Sequence, residues 1–309
     1  MILTKEVQEK IAALRADNTA GATALAHLAG EILVRVAESP RNLQASEIRS
    51  RIIAAGKAVI GAQPAMATIY GLVNYVLGGL RETHDDEELR ATIRTRAHDF
   101  SAQLRAASSA AAHHATKLIT HNTVVLTHSR SSLVEAALIE AARQGLTLSV
   151  ICTESRPLGE GRALAGSLAS MGISTSVVID AAVASFVARS TVVFVGADAL
   201  SVHGLVNKIG THSIAMAAHA AGVPMYVVTT TQRFLPPAVP LSYQEVKDPR
   251  ELVGERSKNL TAINLYFDHT PLEQITGCVT EHGSLAREAL RTTLASWRVT
   301  ETLDLEACG

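Results

Sequence analysis

At Asn122 the period of the sequence changes, and that change restricts the fold more than any other feature of the chain. Before it, Ala, Leu, Arg and Glu recur at three- and four-residue spacing without strand-like alternation, the pattern of amphipathic helices. After it, short β-rich runs alternate with helical stretches. The runs are Thr123–Leu126, Thr147–Thr153, Ser174–Ile179, Thr191–Val195 and Pro224–Thr229. Helices are predicted over Ser131–Gln144, over Gly159–Met171, from Asp180, and over about Thr211–Ala221. Five apolar strands separated by helices imply a parallel sheet covered on both faces.

The fold class that follows is α/β: an all-helical N-terminal domain over residues 1–118, then a Rossmann-like, doubly wound parallel-sheet domain over residues 119–309. Breaks at Asp17-Asn18, Ser39-Pro40, Gly61–Pro64 and Gly78-Gly79 divide the first part into roughly five helices. The last helix, from about Asp85 to Thr120, is long enough to bridge two parts of the molecule or to bend at Ser108-Ser109. Aromatic residues are only 4% of the chain, so the core is expected to be aliphatic.

Composition removes several function classes. With 28 Lys and Arg against 29 Asp and Glu, the net charge of −1 is too near neutral for a general polyanion binder, so no direct nucleic-acid contact is expected. A hydrophobic content of 47% excludes disorder as the main state. Apolar runs such as Val192–Ala197 fall far short of the roughly 20 residues that span a bilayer, and the N-terminus lacks the basic-then-apolar order of a signal peptide. Cys152, Cys278 and Cys308 form no C-x-x-C spacing, which argues against a disulfide framework or structural zinc. A cytoplasmic protein without membrane, metal or cofactor is the expectation. His113 and His114 are adjacent on a helix and point different ways, so they make no metal pair.

In an open α/β sheet, ligands bind beyond the carboxyl ends of the strands, near the point where strand order reverses. The residues placed there are Thr127-His128-Ser129-Arg130-Ser131-Ser132, Glu154-Ser155-Arg156-Pro157, Asp180, Gly196-Ala197-Asp198, and a loop carrying His203-Gly204 and Asn207-Lys208-Ile209-Gly210-Thr211. Hydroxyls at Ser129, Ser131 and Ser132 precede a helix, where backbone N–H groups and the positive dipole end favour phosphate; simple N-capping is the alternative. Arg130 and Arg156 add fork-shaped donors and Lys208 a point charge. Glu154 lies on the same edge. No G-x-G-x-x-G follows the first strand, so a strict dinucleotide fold is not supported. Asp198 closes an apolar strand, where desolvation would raise its pKa toward neutrality and suit it to acid–base work; it could instead cap a helix or pair with Lys208. Asp180 reads as a helix cap.

These motifs, with Val223–Val228, Phe267-Asp268-x-Thr270-Pro271 and Thr280-Glu281-His282-Gly283, occur in one order and together resemble the family of the initiation factor 2B alpha, beta and delta regulatory subunits. Two sugar-phosphate isomerases belong to that family, acting on ribose 1,5-bisphosphate and on 5-methylthioribose 1-phosphate. The resemblance covers about residues 119–285 and implies a phosphorylated small molecule as ligand, with Asn207 and Lys208 matching the phosphate-binding pair. It also implies a homodimer or higher homo-oligomer formed through the second domain, and an initiation-factor complex as a possible partner. In the isomerases a catalytic Cys follows the Thr-His pair and works with the Asp matched by Asp198. Here Ser129 takes that place, and a serine hydroxyl needs a dedicated base where a thiol does not. Cys152 on the neighbouring strand could supply a thiol or be a small core residue. Gln63 stands where the isomerases tend to carry a phosphate-holding arginine. Two functions stay open: a regulatory, ligand-binding protein, or an aldose–ketose isomerase with Asp198 and Ser129 as its catalytic pair.

Overall fold

The computed structural model describes residues 3–38, 43–78, 80, 85–254 and 258–298. The chain divides into two compact units, one holding residues up to Ala106 together with Trp297 and Arg298, the other Ala107–Ser296.

The first unit contains α1 (Lys5–Ala16), α2 (Ala22–Glu38), α3 (Ala45–Ala62), α4 (Ala67–Leu77) and the start of α5 (Asp86–Thr116). The Thr4 hydroxyl caps α1 by accepting from Val7 N at 3.4 Å. Along α2, Leu25, Ala29, Ile32, Leu33 and Val36 recur at helical spacing and are buried, each large side chain contributing about 1.5–3 kcal/mol. Two of the four expected breaks, after α1 and after α3, fall where the sequence puts them. Pro40 and Gly79 lie outside the described residues. α5 crosses the boundary between the units and stays helical through Ser108 and Ser109, where a bend was one expectation.

The second unit continues through β1 (Thr123–Thr127), α6 (Ser132–Arg143), β2 (Leu148–Thr153), α7 (Glu160–Ser170), β3 (Ser174–Val178), α8 (Val183–Val187), β4 (Val192–Val195), β5 (Ala199–Ser201) and β6 (Gly204–Lys208). Then come α9 (Thr211–Ala221), β7 (Met225–Val228), β8 (Phe267–Thr270), β9 (Gly277–Thr280), β10 (Gly283–Ala286) and α10 (Arg287–Ser296). The main sheet has the order β10-β9-β7-β4-β1-β2-β3, parallel except for the β9–β10 hairpin. All five strands read from sequence are present within one or two residues.

Alternate residues of this sheet, including Val125, Val150, Cys152, Val192, Phe194 and Val228, form a buried cluster with the end of α5, α6 and α7. The opposite face carries Leu126, Ile151, Val193 and Val227, and α9 and α10 pack against β7 and β9. Cys152 therefore sits in the core, where burial pushes its thiol up to about 12, and it offers no thiolate.

The sequence reading goes wrong in two places. β9 and β10 extend the sheet beyond five strands. The stretch after β4 is not a loop but a hairpin, β5–β6, which β8 joins in a separate three-stranded sheet of order β5-β6-β8. Asn207 and Lys208 thus sit on a strand, held in register opposite Asp268 and Phe267.

Candidate functional site

β1 leads to β2 and β3 on one side and pairs with β4 on the other, so strand order reverses between β1 and β4. The carboxyl ends of these two strands are where such a fold opens a ligand site, and buried polar groups gather there.

His128, just past β1, is fully enclosed. Its Nε2 lies 2.7 Å from the Ile209 carbonyl oxygen, which can only accept, so this nitrogen carries the proton. Nδ1 is then an acceptor, 2.6 Å from the Thr153 hydroxyl. Burial lowers the pKa of the ring and keeps it neutral. Ser155 is buried and its Oγ accepts from Ser129 N at 2.7 Å, tying the end of β2 to the end of β1. Both serines have left-handed backbones, with φ of 62° and 61°. The Ser129 side chain has no hydrogen-bond partner among the described residues.

α7 starts hard against β2. A Cβ at Gly161 would lie 1.8 Å from the Thr153 carbonyl oxygen, so this approach requires glycine. The close start of α7 brings Glu160 to Lys208, with Oε1 2.7 Å from Nζ. Lys208 is 8% exposed, and its ammonium also lies over the rings of Tyr266 at 4.8 Å and Phe267 at 5.5 Å. The second oxygen of Glu160 is shielded from solvent and unpartnered among the described residues. Asn207 donates to the Thr211 hydroxyl at 3.0 Å, and that hydroxyl donates to the Lys208 carbonyl at 2.6 Å. Across the β6–β8 ladder, Asp268 Oδ2 accepts from the backbone N–H groups of Gly210 at 2.8 Å and His212 at 3.1 Å, fixing the start of α9.

Asp198 follows β4, its backbone N bonded to the Val206 carbonyl at 2.9 Å. Desolvation raises its carboxyl to about 6, against the pull of Arg233 and Lys208. It neither caps a helix nor forms the ion pair with Lys208, which belongs to Glu160. Arg233 is buried and donates to the Ala197 carbonyl at 2.8 Å, while its Nε is unpartnered among the described residues. Burial lowers the pKa of this guanidinium and the charge of Asp198 raises it.

The remaining sequence-predicted residues are placed as follows. Ser131 caps α6, accepting from Val134 N at 3.4 Å, and backs onto Gly196. Arg130 reaches Glu135 with N···O distances of 3.1 and 3.3 Å. Glu154 pairs with Arg162. Arg156 donates to the Glu251 carbonyl at 3.0 Å. These three side chains are engaged with Glu135, Arg162 and the Glu251 carbonyl, not with Asp198 or Lys208. Asp180 is not the cap of its own short helix. Its two oxygens accept from Ser155 N at 2.8 Å and Arg156 N at 2.7 Å and so hold the loop after β2. Gln63, in the first unit, is committed to the carbonyls of Leu14 and Asp17 at 2.7 and 2.9 Å. Glu160 and Arg233 were missed. Arg233 follows a strand end, as the other candidates do, and Glu160 opens a predicted helix one residue before a glycine. Among the described residues no group of three or more His, Cys, Asp or Glu is arranged to hold a metal, and no helix is long and apolar enough to cross a membrane.

Fold and site together define an α/β protein that buries paired charges at the switch point of a parallel sheet. The sequence pattern of the Initiation factor 2 subunit family matches residues 18–287, and the chain belongs to that family. Ribose 1,5-bisphosphate isomerase of Archaeoglobus fulgidus is 32% identical to it over 92% of this chain and 91% of that protein. The structure of translation initiation factor eIF-2B from Pyrococcus horikoshii OT3 covers 93% of this chain and 100% of its own, with a TM-score of 0.81 at 28% identity. 5-Methylthioribose 1-phosphate isomerase from the same archaeon shares the fold, with a TM-score of 0.71 at 21% identity over 92% of this chain and 85% of its own.

Proposed function

We propose that this chain is a ligand-binding protein of the regulatory-subunit kind, holding a phosphorylated sugar or a nucleoside monophosphate at the strand ends. Lys208 and Asn207 would hold the phosphate, with Ser129 and Ser131 as neutral donors and Arg130, Glu154 and Arg156 at the rim. A cytoplasmic homodimer formed through the sheet-bearing domain, residues 119–309, and assembly with an initiation factor belong to the same reading. The observation that carries it is the state of the residue beside Ser129. His128 has one ring nitrogen on Ile209 and the other on Thr153, and the Ser129 hydroxyl is hydrogen-bonded to no base among the described residues. A thiol in that position could ionise from its surroundings; a hydroxyl cannot.

The test is thermal stabilisation by ribose 1,5-bisphosphate, 5-methylthioribose 1-phosphate and AMP, beside phosphorus NMR of the same mixtures and light scattering for the dimer. Stabilisation by at least one compound without conversion is the expected result, with turnover appearing in Ser129→Cys. Conversion by the unaltered protein that Asp198→Asn abolishes would overturn the binding reading in favour of an isomerase. That second reading has its own support. Asp198, raised to about 6, is suited to accept and return a proton near neutral pH, and the chain is 32% identical to a ribose 1,5-bisphosphate isomerase.

A further inference from the structure

The charges gathered at the strand ends balance. Buried Lys208 and Arg233 stand against the half-buried carboxylates of Glu160, in an ion pair with Lys208, and Asp198, whose charge acts on Arg233, while His128 is held neutral. Two further carboxylates, Asp180 and Asp268, sit close by, each held by two backbone N–H groups. The guanidinium groups of Arg130 and Arg162 are already paired with Glu135 and Glu154, and that of Arg156 with carbonyl oxygens. On the proposed reading such a site takes one phosphate at Lys208. Among the described residues it has no spare buried cation for another, and a second phosphate beside these carboxylates would meet like charge.

Glu160 is the residue on which this balance turns. Its Oε1 neutralises Lys208 at 2.7 Å, and its Oε2 is a desolvated acceptor without a donor. An unpaired buried acceptor favours a ligand that brings a hydroxyl to it. We infer that Glu160 sets ligand specificity: its paired oxygen restrains Lys208, its free oxygen accepts a hydroxyl of a sugar monophosphate, and its charge rejects a bisphosphate. The inference rests on the reading above, that the strand-end site takes a phosphorylated sugar. Replacing Glu160 by Gln keeps the shape and one acceptor and removes the charge, so it separates the two contributions.

The experiment is calorimetric titration of the full chain with ribose 5-phosphate and with ribose 1,5-bisphosphate, for the unaltered protein, Glu160→Gln and Glu160→Asp. The unaltered protein is expected to prefer the monophosphate by about tenfold or more, the scale of one unfavourable charge contact. Glu160→Gln should narrow that ratio about tenfold, chiefly by tightening the bisphosphate, while Glu160→Asp keeps it. A bisphosphate bound as tightly as the monophosphate overturns the inference, as does a Gln variant that shifts both ligands equally. If Glu160→Gln does not fold, a bisphosphate bound as tightly as the monophosphate by the unaltered protein still overturns the inference. Failure of both ligands to bind any of the three proteins sinks the site reading itself, whereas binding with an unaltered ratio removes only the role of Glu160.

Discussion

The two ends of the parallel sheet are built from the same strands on opposite terms. At the amino end, backbone groups are closed by neighbours and by threonines. Asn122 N donates to the Thr147 carbonyl at 2.7 Å, Val124 N to the Thr191 hydroxyl at 3.0 Å, and Met225 N to the Thr276 hydroxyl at 2.9 Å. At the carboxyl end the structure buries two cations beside two half-buried carboxylates and leaves a Glu160 oxygen and the Arg233 Nε without hydrogen-bond partners among the described residues. Neutral hydroxyl bonds stabilise cheaply and specify little. Buried charge is costly unless paired, and is kept where something must be recognised.

Substitutions at the two ends should have effects of different size and kind. Lys208→Met should have the largest effect, because it strands the Glu160 carboxylate. A loss of about 3 kcal/mol in urea-unfolding stability is expected, the lower end for a broken buried pair since Glu160 keeps 20% exposure. A loss under about 1 kcal/mol would show the pair to be screened like a surface one. The next effect is on pH dependence. Asp198 has its carboxyl at about 6 in the folded protein against 3.8 in the unfolded reference, so between those values the folded state holds a proton that the unfolded state has released. Its contribution is therefore favourable at low pH and is lost as pH rises toward 6 and beyond. Asp198→Asn should flatten this slope, read as the difference between thermal midpoints at about pH 4 and pH 7. The smallest effect is expected at the other end: Thr191→Val removes the acceptor for Val124 N, costs about 1 kcal/mol, and leaves ligand affinity unchanged in the same titrations.

How far these features could be read in advance differs along the chain. α9 was legible because Gly210 and Gly222 bracket an apolar 3.6 period. The central strands were legible because they are buried on both faces and read as continuous Val-rich runs. β9 and β10 were not, being four residues each, glycine-led and dominated by small side chains. The hairpin that carries Asn207 and Lys208 looks like a loop in sequence because β5 is only three residues long and the other neighbour of β6 lies at Phe267–Thr270, a pairing that no local signal reports. Asp198 could be singled out from its position after an apolar strand. Its relation to Arg233, and that of Lys208 to Glu160, depends on side-chain direction and on the close approach at Gly161. Arg130 and Arg156 show the converse: position on the right edge says where a side chain begins, not where it goes.

The β6–β8 ladder also sets a timetable. By the time Val228 has been synthesised, β1, β2, β3, β4 and β7 all exist and Lys208 has been made. Its aromatic bed at Tyr266 and Phe267, and the Asp268 that fixes the start of α9, have not. At about 5–20 residues per second, the stretch from Lys208 to Asp268 takes several seconds to emerge. During that interval a nascent chain holds its lysine without the rings that shield it, although Glu160, Asp198 and Arg233 are all made before it ends.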